Sequence, residues 1–352
     1  MGDRGQGTAE GDVHHRYAHH ARELPGGDEE GGTPLSVPAT APSRLRRLWD
    51  VTGMALVFAL LFVGLSVFVP NFLGVPNLKG LALSVTTVGI IACTMLFCLA
   101  AGDFDLSVGS VVALAGVIAA LVVNKTGSVA LALLVPVLAG AFVGSVNGFI
   151  IARLRINALI TTLATMQIVR GIALILSDGS SIGVSSEAFT RLGGAQFLGL
   201  TSPVWILGLC FLVFGLLISR TVYGRHTLAV GGNAEASRFA GIDVARTKIL
   251  IFAAQGAVAA FAGVLLASRV TSGQPNTAQG LELQVISACV LGGVSLTGGV
   301  GTMTGVVVGV LIMGTVQNAM NLLNIAPFYQ LVASGVILLA AVLIDGLKTR
   351  AR

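Results

Sequence analysis

Uncharged apolar runs of membrane-spanning length recur between Val51 and Ile344, separated by short polar or glycine-rich connections. A helix that crosses a bilayer needs about 20 such residues. The pattern predicts ten spans, near residues 51–69, 81–101, 106–123, 128–152, 157–177, 203–219, 247–267, 282–297, 302–323 and 328–345. The expected fold is an all-α polytopic membrane protein, with its transmembrane domain over residues 44–352. Residues 1–43 differ in kind: Gly, Glu, Asp, His, Pro and Ser dominate and apolar periodicity is absent, a composition that cannot bury a core. They are expected to form a disordered cytoplasmic tail. Its His14, His15, His19 and His20 could bind a metal, but without cysteine or an ordered frame a solvated tail is the simpler reading, and no metal site is assigned. The tail also lacks the short basic start followed by an apolar stretch that marks a secretory signal.

Composition agrees with the pattern. Of 352 residues, 54% are hydrophobic and 11% charged, less than half the roughly 25% usual in soluble domains. The net charge of +5 could suggest nucleic acid, but its placement explains it otherwise. With the N-terminus in the cytoplasm and the spans alternating, Arg44, Arg46, Arg47, Arg153, Arg155, Arg220, Arg225, Arg238, Arg246, Lys248, Lys348, Arg350 and Arg352 fall inside. Only Lys79, Lys125, Arg191 and Arg269 fall outside. Both termini are then cytoplasmic and no nucleic acid is needed. Cys93, Cys98, Cys210 and Cys289 lie within apolar segments without a CxxC or nearby His, as small packing residues do. Gly140, Gly144 and Gly148 in the fourth span, and Gly301, Gly305 and Gly309 in the ninth, each put small residues on one helix face, where backbones can approach closely. Their offset of five spans is the spacing that two related halves of five spans, inverted in topology, would give.

Ionisable groups in an apolar chain are costly, so each requires a reason. Asp103 and Asp105, followed by Ser107, stand between the second and third spans with hardly any loop around them. They read either as a tight polar turn whose Asp105 or Ser107 caps the third helix, or as a polar element on the transport path or a moving interface. Arg170 falls near the middle of the fifth span and should face protein or water. It reads either as paired with Asp178 or a carbonyl, or as standing by the path. On the same helix Thr162 and Thr165 share one face, while Gln167 and Arg170 share another. Gln317, Asn318, Asn321 and Asn324 gather amides at a helix end. Such groups can exchange hydrogen bonds with sugar hydroxyls, and can equally tie helices together. The longest cytoplasmic connection, 220–246, contains Asn233, which can cap a short helix from Ala234 to about Ala240 that stops at Gly241. A capped helix exposed to the cytoplasm wants a partner. No Gly is followed directly by Lys, so a P-loop is absent, and no HExxH or GxSxG occurs. A membrane enzyme therefore has little support, and any ATPase would be a separate subunit.

Two stretches carry a likeness to a known family: Gly102-Asp103-Phe104-Asp105-Leu106-Ser107-Val108-Gly109-Ser110, and Gly231-Gly232-Asn233-Ala234-Glu235-Ala236-Ser237-Arg238-Phe239-Ala240-Gly241-Ile242. In them the chain resembles the ribose-type ABC sugar permeases, from about Arg44 onward. Runs at 95–99, 156–167, 271–275 and 318–325 are similar to the L-arabinose branch of that family. The resemblance implies a type II importer permease in a bacterial inner membrane, working as a homodimer with a cytoplasmic ABC ATPase and an extracytoplasmic sugar-binding protein. It needs no cofactor and is not itself an enzyme. L-Arabinose is the implied cargo, with ribose, xylose or galactose as alternatives and an ion-coupled carrier working alone as the rival class. It also implies that Gly232, Asn233, Glu235, Ala236, Arg238, Gly241 and Ile242 form the element that couples to the ATPase. Ala234 and Ser237 stand where relatives often have Glu and Ala.

Overall fold

The computed structural model describes residues 44–350; the tail with its four histidines lies outside the described residues. The chain is mostly helical. It begins with α1 (Arg44–Phe68), α2 (Val75–Ser84), α3 (Thr86–Ala100), α4 (Val108–Thr126), α5 (Val129–Arg153) and α6 (Ala158–Leu176). A small insertion follows: β1 (Ile182–Gly183), α7 (Glu187–Gly194) and the hairpin of β2 (Gln196–Phe197) and β3 (Leu200–Thr201). Then come α8 (Ser202–Arg220), α9 (Val222–Gly232), α10 (Ala234–Phe239), α11 (Val244–Val270), β4 (Ser272–Gly273), α12 (Leu281–Leu291), α13 (Met303–Leu322) and α14 (Pro327–Arg350).

Among the described residues, seven helical segments are long and apolar enough to cross a membrane: Val75–Ala100, α4, α5, α6, α8, α11 and α13. The other three runs of the sequence pattern coincide with shorter apolar helices, Gly53–Phe68, Leu281–Leu291 and Pro327–Leu343. The run expected at 282–297 is therefore not one helix. It stops at Leu291 because Gly293, Gly298 and Gly299 all take left-handed backbone, which a continuing helix cannot accommodate.

α11 is the centre of the packing. It lies against α5, α4 and α3, while α12 bridges α3, α13 and α14. The glycine stripes are where these helices touch. A Cβ on Gly144 would overlap the Phe252 carbonyl, and Gly140 and Gly256 face each other so closely that neither has room for a side chain. Gly305 and Gly309 meet the backbone of α12 in the same way, at Gly292 and Ala288. Backbone contact of this kind replaces the hydrophobic drive that is missing between helices in lipid. α5, α6 and α8 turn large apolar residues outward, among them Phe142, Ile168 and Leu212. Such a surface suits hydrocarbon and not water.

Candidate functional site

The 220–246 connection is folded into two short helices. Thr221 Oγ accepts from the Gly224 amide to start α9, and Asn233 Oδ1 accepts from the Ala236 amide at 2.9 Å to start α10. α10 closes with Ile242 N donating to the Ser237 carbonyl and Gly241 N to the Arg238 carbonyl, with Gly241 at φ +84°. Ser237 is buried, but Glu235, Ala236, Arg238 and Phe239 project outward, and Phe239 is 86% exposed. Behind α10 the end of α9 is wedged into the protein. A methyl on Gly231 would overlap the Ala100 carbonyl oxygen and stand 2.7 Å from the Gly299 amide nitrogen, and that amide donates to Ala100 at 2.9 Å. The last turn of α9, the end of α3 and the 292–302 connection thus touch backbone to backbone.

The acidic turn lies beside this contact. Asp105 Oδ1 accepts from the Ser107 amide (2.9 Å) and hydroxyl (2.6 Å), so Asp105, not Ser107, orders the start of α4. Ser107 Oγ in turn accepts from Asn147 Nδ2 (3.2 Å), and Asn147 Oδ1 accepts from Thr165 Oγ1 (2.6 Å). One polar chain therefore joins the turn to α5 and α6. Asp103 is buried and pairs with Lys248 Nζ at 2.8 Å, in the second turn of α11. Burial pushes both carboxyls above the usual range; Lys248 draws Asp103 back, and the Ser107 hydrogen bonds do the same for Asp105.

On α6, Thr162 is buried and donates to the Ala158 carbonyl of its own helix (2.8 Å), whereas Gln167 lies on the exposed face. Arg170 is half-buried and donates to two carbonyls, Pro275 (2.6 Å) and Thr277 (2.8 Å). The amides at the end of α13 hold helices. Asn318 and Asn77 exchange two hydrogen bonds (2.8 and 3.0 Å), Asn321 Oδ1 accepts from Gln330 Nε2 (2.8 Å), and Asn324 takes a left-handed turn at φ +53°. The structure thus brings Asp105, Ser107 and Thr165 together and leaves Arg170 and the α13 amides at separate places.

Asn77 and Asn147 escaped the sequence reading, in which Lys248 counted only as a cytoplasmic cation and Phe239 only as part of the family-like stretch. Asn147 carried a usable signal, an amide within the glycine stripe of an otherwise apolar span. The others sit at helix ends or in loops, where polarity and exposure carry no distinguishing mark.

Residues 77–342 match the family model described as branched-chain amino acid transport system / permease component. The L-arabinose transport system permease protein AraH of Escherichia coli is 58% identical over 87% of this chain and 93% of its own length. The L-arabinose ABC transporter permease protein AraH of Azospirillum brasilense is 53% identical over 91% of this chain and 96% of its own. The ribose import permease protein RbsC of Escherichia coli is 35% identical over 86% and 96%. No solved structure matches the chain.

Proposed function

The chain belongs to the transport-system permease family that this model defines, and on that premise we propose that it forms the membrane path of a binding-protein-dependent ABC importer for L-arabinose. The family label is broad, so the cargo is taken from the relatives at 53% and 58% identity, both named for L-arabinose, against 35% for the ribose permease. The structural observation that carries the reading is the exposed, doubly capped α10, seated through Gly231 on the ends of α3 and the 292–302 connection. A groove on an ATPase that grips Phe239 and Arg238 would move those ends directly. ATP hydrolysis belongs to that separate subunit, consistent with the absence of a P-loop here.

The seven long helices and three shorter apolar ones support ten crossings in a bacterial inner membrane, with both termini and α10 on the cytoplasmic side. A second copy is expected to complete the path. The lightly buried faces of α6 and α8 support this, with Gln167 exposed in the middle of α6, where lipid is a poor neighbour for an amide. In this reading Gln167 borders the path and Arg170 stands behind it. Asn318 and Asn321 hold the helices that frame the path, with Thr162 buried and bonded within α6 and Asn324 at the turn that follows α13. Asp105, Ser107 and Thr165 join the turn beside the coupling element to α5 and α6, and Asp103 joins it to α11.

The test is reconstitution in proteoliposomes with the ATPase and the sugar-binding protein. ATP hydrolysis is expected to rise with L-arabinose and much less with ribose, xylose or galactose. Uptake that persists without the ATPase and follows an ion gradient would replace the importer with a solitary carrier.

A further inference from the structure

The segment between β4 and α12 is too deep to be an ordinary external loop. It starts at the outer surface, where β4 pairs with β1 and Gly183 accepts a hydrogen bond from Asn124 in the last turn of α4. It then descends along α4. A methyl on Gly273 would stand 2.5 Å from the Gly116 carbonyl oxygen, 2.8 Å from Val117 Cα and 2.9 Å from Ala120, whereas a methyl on Gly109 would stand 2.5 Å from both the Ala278 carbonyl oxygen and Glu282 Oε2. Val117 and Gly109 are separated by about 12 Å of helix at the usual rise per residue. The chain therefore reaches about halfway through the protein before α12 begins at Leu281, which is why α12 has only 11 residues. Left-handed backbone at Thr271, Ala278 and Gly280 lets it turn in and out.

Arg170 fixes the bottom of this descent, its guanidinium donating to the carbonyls of Pro275 and Thr277. Pro275 is buried, and Asn276 and Gln279 beside it are exposed, with no hydrogen bond among the described residues. Amides that faced hydrocarbon at this depth would be costly, which argues for a polar neighbour on their exposed side. Arg170 and Gln167 lie one turn apart on α6, which places the descending segment next to the helix already taken to border the path.

We propose that the segment 274–280 is the intramembrane sugar contact of the permease, in which Asn276 and Gln279 meet the hydroxyls of the passing monosaccharide and Arg170 is the positioning residue that holds them there. Uncharged amides can both donate to and accept from a hydroxyl without trapping a charge, which suits a neutral sugar that must leave again. The inference rests on the importer reading above.

The experiment uses the full permease with its ATPase and binding protein in proteoliposomes. Asn276→Ala and Gln279→Ala are each expected to lower L-arabinose uptake at least about tenfold and to change the ratio of L-arabinose to galactose uptake, with assembly unaltered. A purely structural role would slow every sugar alike. Arg170→Gln is expected to do the same, with Arg170→Lys falling between, since Nη1 alone donates to both carbonyls and an ammonium has the donors to do likewise but on a shorter side chain. Asn276→Cys, in a background with Cys210 replaced, is expected to react with a charged thiol reagent during turnover; Cys93, Cys98 and Cys289 are buried. If Arg170 variants fail to assemble, the Asn276 and Gln279 variants still decide. Wild-type uptake and sugar preference in both, with Asn276→Cys unlabelled in every state, overturns the inference while leaving the importer intact. A wild-type complex without sugar-stimulated hydrolysis overturns both.

Discussion

Gly231 and Gly232 are neighbours at the end of α9, yet their surroundings differ enough to make a stringent test. At Gly232 the nearest atom a methyl would meet is Gly299 Cα at 4.0 Å, an ordinary contact. At Gly231 the methyl would overlap the Ala100 carbonyl oxygen and stand 2.7 and 2.8 Å from Gly299 N and Ala100 C. Ordinary contact needs roughly 3.5 Å, so α9 must move outward by about 1 Å or more, or the Gly299–Ala100 hydrogen bond must open. Opening it loses about 1 kcal/mol of net hydrogen bonding and leaves a carbonyl unsatisfied at about 1–3 kcal/mol more. Alanine in a helix otherwise gains about 0.5–1 kcal/mol over glycine. Gly232→Ala is thus expected to be neutral or slightly stabilising, and Gly231→Ala to cost about 1–3.5 kcal/mol at the contact that carries α10. The assay is paired: thermal unfolding of the purified permease, and sugar-stimulated ATP hydrolysis with the ATPase and binding protein. Gly231→Ala should unfold several degrees earlier and lose most of its stimulation, while Gly232→Ala keeps both. If the two behave alike, the backbone contact does not transmit motion and the coupling argument fails.

Other outcomes follow from the same contacts. Phe239→Ala should leave permease stability unchanged, because the ring is 86% exposed, yet weaken ATPase association about thirtyfold or more if the ring is buried in that groove, as measured by co-purification titration. Lys248→Met leaves Asp103 buried beside no cation and should destabilise by about 3 kcal/mol; Asp103→Asn added to it should recover much of that loss in the same unfolding assay. Gly144→Ala should separate α5 from α11 and lower the yield of folded protein, while Gly171→Ala, with open space around it, should not, by size-exclusion chromatography in detergent. Asn318→Ala leaves Asn77 half-satisfied and should cost about 1 kcal/mol; an unchanged midpoint would show the amide pair to be idle.

What the sequence made legible was local. α10 could be read with its ends because the residues that cap it, Asn233 and Gly241, lie within one turn of what they cap. The Asp105–Ser107 turn was legible for the same reason, and the glycine stripes announced close backbone approach through their spacing alone. Polarity of the whole chain settled the solvent, since a hydrocarbon phase tolerates so few charges.

Tertiary structure decided the partners. Arg170 could be assigned a carbonyl in principle, but Pro275 and Thr277 are 105 and 107 positions away, and periodicity contains no record of a chain that descends along another helix. Lys248 read as one more cytoplasmic cation until the fold set it against Asp103. The run at 282–297 looked like a span because its apolar content is continuous; left-handed glycines past Leu291 end its helix after 11 residues. In a bilayer, side-chain hydropathy fixes which residues are inside. Only the packing fixes which backbone groups they meet, because satisfying a buried donor or acceptor is a property of pairs and not of single positions.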